Sequence, residues 1–403
     1  MRLTILPALR AATVAALLMP LAGCAAGDRA AAPSTVRDSA GIQIVESAAP
    51  LRSGAEERAF PAEPALQIGE LEEEGPYLFH SVRTALLLQD GGILVADGGA
   101  RELRYFDAGG EHIRTVGGQG GGPGEFMAMA VPHLLPGDSV VVPDMGRRSI
   151  HIVDPDGAAV RTWGRMGGGV LPGGRALRSA IMRPDGPSDG YSRDSVALVL
   201  QDQADATLDT IARLPGGESW SAVRQQGELT MVEAGTIPFG LRQNVENDGE
   251  RIYHGDGSSF QVTVRALDGT VQRLARIMRP RLPVDDALWA RYRETELAGA
   301  SAAGRSAVEN RLGTFPRPDS VPAFMQILTT RDGGLWLQHY PLPGDSTSTW
   351  SMLDADGRWL GDVTTPPRFR VTDARADTVL GVWRDELDVS YIRVYHLTPR
   401  QQP

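Results

Sequence analysis

Lysine is absent from the 403 residues, so all 40 basic side chains are arginine. That excludes a Schiff-base lysine, a P-loop lysine and a lysine general base. One cysteine, Cys24, leaves no intrachain disulfide, no CxxC redox pair and no four-cysteine zinc site. Positive charge is in the minority, 40 basic against 50 acidic residues for a net charge of −10, so nucleic acid is not an expected partner. No apolar run reaches the about 20 residues that a membrane span needs. What abounds is glycine (47) and proline (28) alongside 42% apolar residues. Those totals point to a turn-rich, all-β body with enough apolar material for one large or two ordinary domains.

Residues 1–23 read as a signal peptide. Arg2 and Arg10 bracket a positive start, Ala11 to Leu21 is apolar, and Pro20 breaks the segment before it is long enough to span. The segment ends Leu21-Ala22-Gly23-Cys24, which resembles the bacterial lipobox. That resemblance implies cleavage before Cys24 and acyl chains on its sulfur, which would hold the chain at a membrane. Ala25 at the next position, in place of aspartate, implies the outer membrane. Residues 24–39, rich in Ala, Pro, Ser and Gly, read as a tether.

Beyond the tether one unit recurs. An apolar strand runs into an Asp-Gly or Asp-Ser turn, and further apolar strands follow. First turns begin at Asp90, Asp138, Asp194, Asp248, Asp332 and Asp377, with spacings of 48, 56, 54, 84 and 45. Second turns stand at Asp107, Asp156, Asp268 and Asp356. Asp-Gly between apolar runs is a strong hairpin signal, because glycine supplies the positive φ that primed turns need. Six copies at a period near 50 predict a single all-β, six-bladed β-propeller over residues 40–399, since a lone blade cannot bury both faces. The leading strands Ile42–Glu46 and Ala65–Gly69 are candidates to complete the last blade and close the ring. The spacing of 84 must hold an insertion, a helical excursion at 283–312 before blade five, capped by Asp285-Asp286 and ended by Pro316, Pro318 and Pro322. Packing of this helix against a blade edge is favoured over a lid.

Tyr105-Phe106-Asp107 followed by Val116-Gly117-Gly118-Gln119-Gly120-Gly121-Gly122-Pro123-Gly124-Glu125-Phe126 resembles the NHL-type blade junction of six-bladed propellers. Arg37-Asp38-Ser39-Ala40-Gly41-Ile42 and Val321-Pro322 with Asp332-Gly333-Gly334-Leu335-Trp336 resemble a group of bacterial lipid-anchored propellers with a helical insertion before the fifth blade. The resemblance implies fold and location rather than an activity. Blades three and six depart from it in their turns.

No catalytic constellation is visible. The glycine run 117–124 lacks G-x-G-x-x-G and the P-loop Lys-Ser/Thr, and no G-x-S-x-G nucleophile elbow occurs. His80 and His133, 53 residues apart, are similar to the channel histidines of a zinc-dependent six-bladed lyase, but Arg178 and Arg183 stand where a third ligand is needed. Calcium-dependent six-bladed lactonases use Glu, Asp and Asn around the channel, and Asn244 is the one asparagine placed for that. Phe79, Phe126, Phe239, Phe324 and Phe369 recur before the inner strands, favouring blade-to-blade packing. A ligand site at that mouth would use His80, His133, Arg178, Phe239, Arg242, Asn244 and Met325. The expectation is therefore a binding or assembly module for a protein, peptide or small molecule, tied to the membrane through Cys24. A metal-dependent hydrolase or lyase using zinc or calcium in the channel is the alternative.

Overall fold

The second strand of each repeat is apolar nearly throughout, and Ile93–Asp97 is buried at every position. A strand covered on both faces is what stacked sheets require. The computed structural model describes residues 32–400, apart from 72–74, 123, 158–159, 166–168, 183–189, 205 and 227–228. The segment read as a signal peptide, Cys24 and Arg183 lie outside the described residues.

Six sheets stack as the blades of a propeller. Blade one holds Val82–Leu87, Ile93–Asp97, Glu102–Phe106 and His112–Gly117 from the inner edge outward. The inner strands of blades two to six are His133–Leu134, Gly169–Leu171, Asn244–Asn247, Gln326–Thr329 and Phe369–Arg375. Each seam between neighbouring blades has its own buried core. Leu94, Phe126 and Val140 fill the seam of blades one and two, while Val82, Phe106, Leu380 and Ile392 fill that of blades six and one.

Ring closure is made by one of the two leading strands. Leu66–Ile68 pairs with Ser390–His396 as the outer strand of blade six, with Ile68 facing Ile392. The other serves elsewhere. Ile42–Ser47 forms a hairpin with Ser34–Ser39 and runs parallel to Val271–Ile277, widening blade four to six strands. That hairpin starts at Ser34, inside the segment read as tether.

Blade three departs most from the sequence reading. Its first turn is at Pro172-Gly173-Gly174, where the two glycines have φ of +79° and +72°. Asp194 lies within the third strand, Gly190–Asp202, where a bulge interrupts the register. Strands of 13 and 20 residues, Gly190–Asp202 and Thr207–Gln226, then continue past the blade as an arm that Leu229–Thr236 completes.

The insertion forms two helices, α1 (Asp286–Gly299) and α2 (Arg305–Thr314). The Asp285 carboxylate caps α1 by accepting from the Leu288 N–H at 2.8 Å. Leu288, Trp289 and Tyr292 pack on Phe239, Val321, Tyr340 and Leu342, so α1 is docked by an aromatic face. Among the described residues, no helix is long and apolar enough to cross a membrane.

Candidate functional site

All inner strands run from one mouth of the channel, here the entry mouth, to the far mouth. At the entry mouth the same device appears in blades one and two. Asp97 ends the second strand of blade one and accepts from the backbone N–H groups of His80 (2.9 Å), Ser81 (3.0 Å), Gly99 (2.9 Å) and Ala100 (3.2 Å). Asp144 does the same for Met127 (2.9 Å), Ala128 (2.9 Å), Gly146 (3.0 Å) and Arg147 (3.2 Å). Each carboxylate ties the start of an inner strand to the adjoining turn. Burial pushes the Asp144 carboxyl up, but its four N–H donors pull it further down, to a net position below the usual range.

These pins set the register of the mouth. Phe79, Phe126, Phe324 and Phe369 are buried in the seams, as expected from their recurrence. Alternation along an extended chain then turns the next residue outward, placing His80, Met127, Met325 and Arg370 on the exposed rim. The structural equivalent of His80 is therefore Met127, not His133.

His133 sits two residues before the turn at the far mouth, paired opposite Val141. Burial holds its imidazole down at about 4, opposed by a hydrogen bond with the Val170 backbone, and Nε2 has no partner. His80 and His133 thus stand at opposite ends of their strands, and the paired-histidine zinc arrangement does not form. Among the described residues no group of three His, Cys, Asp or Glu side chains is placed to hold a metal.

The remaining expected residues separate. Arg242, Asn244 and Met325 are at the entry mouth with His80. Arg242 is exposed, and Met325 is 43% exposed. Asn244 donates through its amide nitrogen to the carbonyls of Arg242 (3.2 Å) and Gly255 (3.4 Å), which ties the start of its strand. Phe239 is 2% exposed beneath α1, 5.2 Å from the Tyr292 ring, and is a packing residue with φ of +54°. It also floors a cavity of about 260 Å³ between the arm and the insertion, lined by Tyr191, Glu218, Arg281 and Pro316. Arg178 is exposed on the second strand of blade three, opposite Val199, and is not part of the inner ring.

The two mouths differ in charge pairing. At the far mouth Arg331 of blade five meets Asp138 of blade two at 3.1 Å, and Asp138 also accepts from the Gln89 N–H at 2.8 Å. Blades two and five face each other in a ring of six, so this ion pair spans the axis. Arg375 donates to the Leu88 carbonyl at 3.1 Å, and buried Asp373 accepts from the Leu87 N–H at 2.8 Å. At the entry mouth Arg83, Arg101, Arg148, Arg242 and Arg368 have no carboxylate within ion-pair distance among the described residues. Met127, Met145, Met325 and Leu387 are 48%, 54%, 43% and 74% exposed beside them. Arg101, Arg148 and Arg368 also hold positive φ of 61°, 53° and 60°, a strained backbone that persists only where its surroundings impose it.

No family model matches the chain, and no curated protein does. Among solved structures it is similar to a member of the DUF4221 family from Bacteroides vulgatus, at 11% identity and TM-score 0.48, covering 84% of this chain and 98% of that one. A Bacteroides fragilis exported-protein candidate gives 11% identity and TM-score 0.47, with 85% and 99% covered. The calcium-binding protein regucalcin from Agrobacterium tumefaciens gives 12% identity and TM-score 0.33, with 86% and 98% covered. Likenesses this distant assign neither a ligand nor a reaction to this chain.

Proposed function

We propose that the chain is a lipid-anchored, extracytoplasmic β-propeller that acts as a binding or assembly module. It receives a protein, peptide or small-molecule ligand at the entry mouth. The observation that carries this is the asymmetry of the ring. An ion pair, Arg331 to Asp138, spans the far mouth, while the entry mouth presents exposed methionines and arginines without carboxylate partners. Methionine side chains are polarizable and adaptable, which suits a surface that must fit a partner. Arginine is the cation best matched to planar anionic groups.

Location rests on Leu21-Ala22-Gly23-Cys24, whose likeness to a lipobox supports acyl anchoring through Cys24, with Ala25 favouring the outer membrane. The junction at Gly117–Phe126 supports kinship with NHL-like, lipid-anchored propellers.

Two measurements test the reading. Cys24→Ala moves the protein from the membrane to the soluble fraction, and persistent membrane association would contradict the anchor. Solubilised envelopes are then compared for co-purification with native protein and with Met127→Asp/Met325→Asp. Loss of a stoichiometric companion in the variant supports the entry mouth, and retention of that companion refutes it.

A further inference from the structure

The seam of blades one and six carries an arrangement at the entry mouth that packing does not require. Gly98 and Gly99 follow Asp97, and their missing side chains leave room for two others. A Cβ on Gly98 would collide with the Arg83 guanidinium, and one on Gly99 would stand 2.6 Å from the His80 Cβ. Arg83 and His80 therefore each pack against one of these two adjacent glycines. Arg370, from the inner strand of blade six, reaches over the seam and donates to the carbonyls of Arg83 (3.1 Å) and Val82 (3.4 Å). Arg384 lies close enough to act electrostatically on Arg370.

Like charges drawn together at a seam cost free energy unless an anion joins them. The nearby carboxylates do not supply it. Asp97 is fully buried, and its oxygens accept four backbone N–H groups. Asp388 holds Arg384 at 3.1 Å, on the outer side of the turn. Arg83 makes no side-chain hydrogen bond or ion pair among the described residues. Arg370 remains reachable by water but is hemmed in by protein, as a residue on a channel wall is. That enclosure, and then Arg384, disfavour its charge.

We propose that His80, Arg83 and Arg370 form a binding site for an oxyanion, a carboxylate or phosphate group carried by the ligand of the entry mouth. This rests on the mouth being the binding face and adds the class of group it recognises. Two guanidinium forks and an imidazole at one seam offer the planar, multidentate donor set that such groups accept. The exposed methionines beside it would take the apolar remainder.

The test uses the full chain carrying Cys24→Ala, at pH 7.5 and constant ionic strength. Inorganic phosphate and succinate are titrated separately by calorimetry and by thermal unfolding. A saturable signal with either probe is expected, and the tighter probe identifies phosphate or carboxylate as the natural group. Arg83→Gln should weaken that binding about tenfold or more. Its unfolding temperature without anion should not fall, because Arg83 holds no other group and losing its charge relieves repulsion at the seam. Arg370→Gln tests the second cation, and Arg83→Gln keeps the test decisive if loss of the carbonyl bonds loosens that seam. Arg161→Gln, exposed on the outer strand of blade two and away from both mouths' arginines, should bind as the parent does. No saturable signal with either probe, or equal binding by Arg83→Gln, would overturn the oxyanion site. Neither result would bear on companion loss in the methionine variants, so the two readings fail separately.

Discussion

Replacing Asp144 by asparagine changes one atom of a buried pin. Its Oδ1 accepts from Ala128, Gly146 and Arg147, and its Oδ2 accepts from Met127 at 2.9 Å. Asparagine keeps the first set and turns an amide N–H toward the Met127 N–H, so two donors face each other where the residue is 0% exposed. A buried unsatisfied donor costs about 1–3 kcal/mol, and the remaining bonds lose the strength a charged acceptor gives, so roughly 2–4 kcal/mol is expected. At an unfolding entropy of about 2.1 cal/mol/K per residue, that corresponds to roughly 3–5 °C in Tm for a body of this size. Asp144→Ala strands all four donors and should cost more. The carboxyl titrates below its ordinary 3.8, so its stabilising contribution is full above that value and lost as pH falls through the lower folded value. The difference between parent and variant should therefore shrink in strong acid. Urea unfolding at pH 7 and at pH 3 measures it. A variant within about 0.5 kcal/mol of the parent at pH 7 would refute the pin.

Two further outcomes follow from other groups. His254 is 7% exposed, and its Nε2 accepts from Arg265 Nε at 2.9 Å, with burial and then Arg265 holding its imidazole at about 4 against an ordinary 6.5. The folded state then binds fewer protons than the unfolded chain between those values, so stability is full above pH 6.5 and declines toward pH 4. His254→Gln should flatten that decline in urea midpoints taken from pH 7.5 to 4.5, and an unchanged slope would contradict it. Ile68→Ala empties a 2%-exposed position on the closing strand and should cost about 2–4 kcal/mol, with amide exchange accelerating first in Ser390–His396. Uniform acceleration around the ring would argue against Leu66–Ile68 as the closure.

The blade count was legible because most repeats combine an Asp-Gly or Asp-Ser turn, with positive φ at or beside the aspartate, and buried apolar strands. Blade three misled because its turn is Pro172-Gly173-Gly174, while Asp194-Ser195 sits at a bulge inside a long strand. The two leading strands were visible as strands, but the outer edge that each joins depends on contacts far along the chain. Spacing alone paired His80 with His133, whereas the buried carboxylates Asp97 and Asp144 show that His80 corresponds to Met127. The recurrent phenylalanines held the missing signal. The residues after the buried rings of Phe79, Phe126, Phe324 and Phe369 face outward, which marks His80, Met127, Met325 and Arg370 as the rim. The unpartnered arginines at the mouth depend on pairing across seams, which no local pattern records.

The most direct measurement places a photo-crosslinking residue at Met127 or Met325 on the entry mouth, and at Asp90 on the far mouth, in the full chain in its own cells. Binding at the entry mouth predicts a discrete crosslinked product from Met127 and Met325 and none from Asp90. Products from Asp90 alone, or equal products from both mouths, would contradict it.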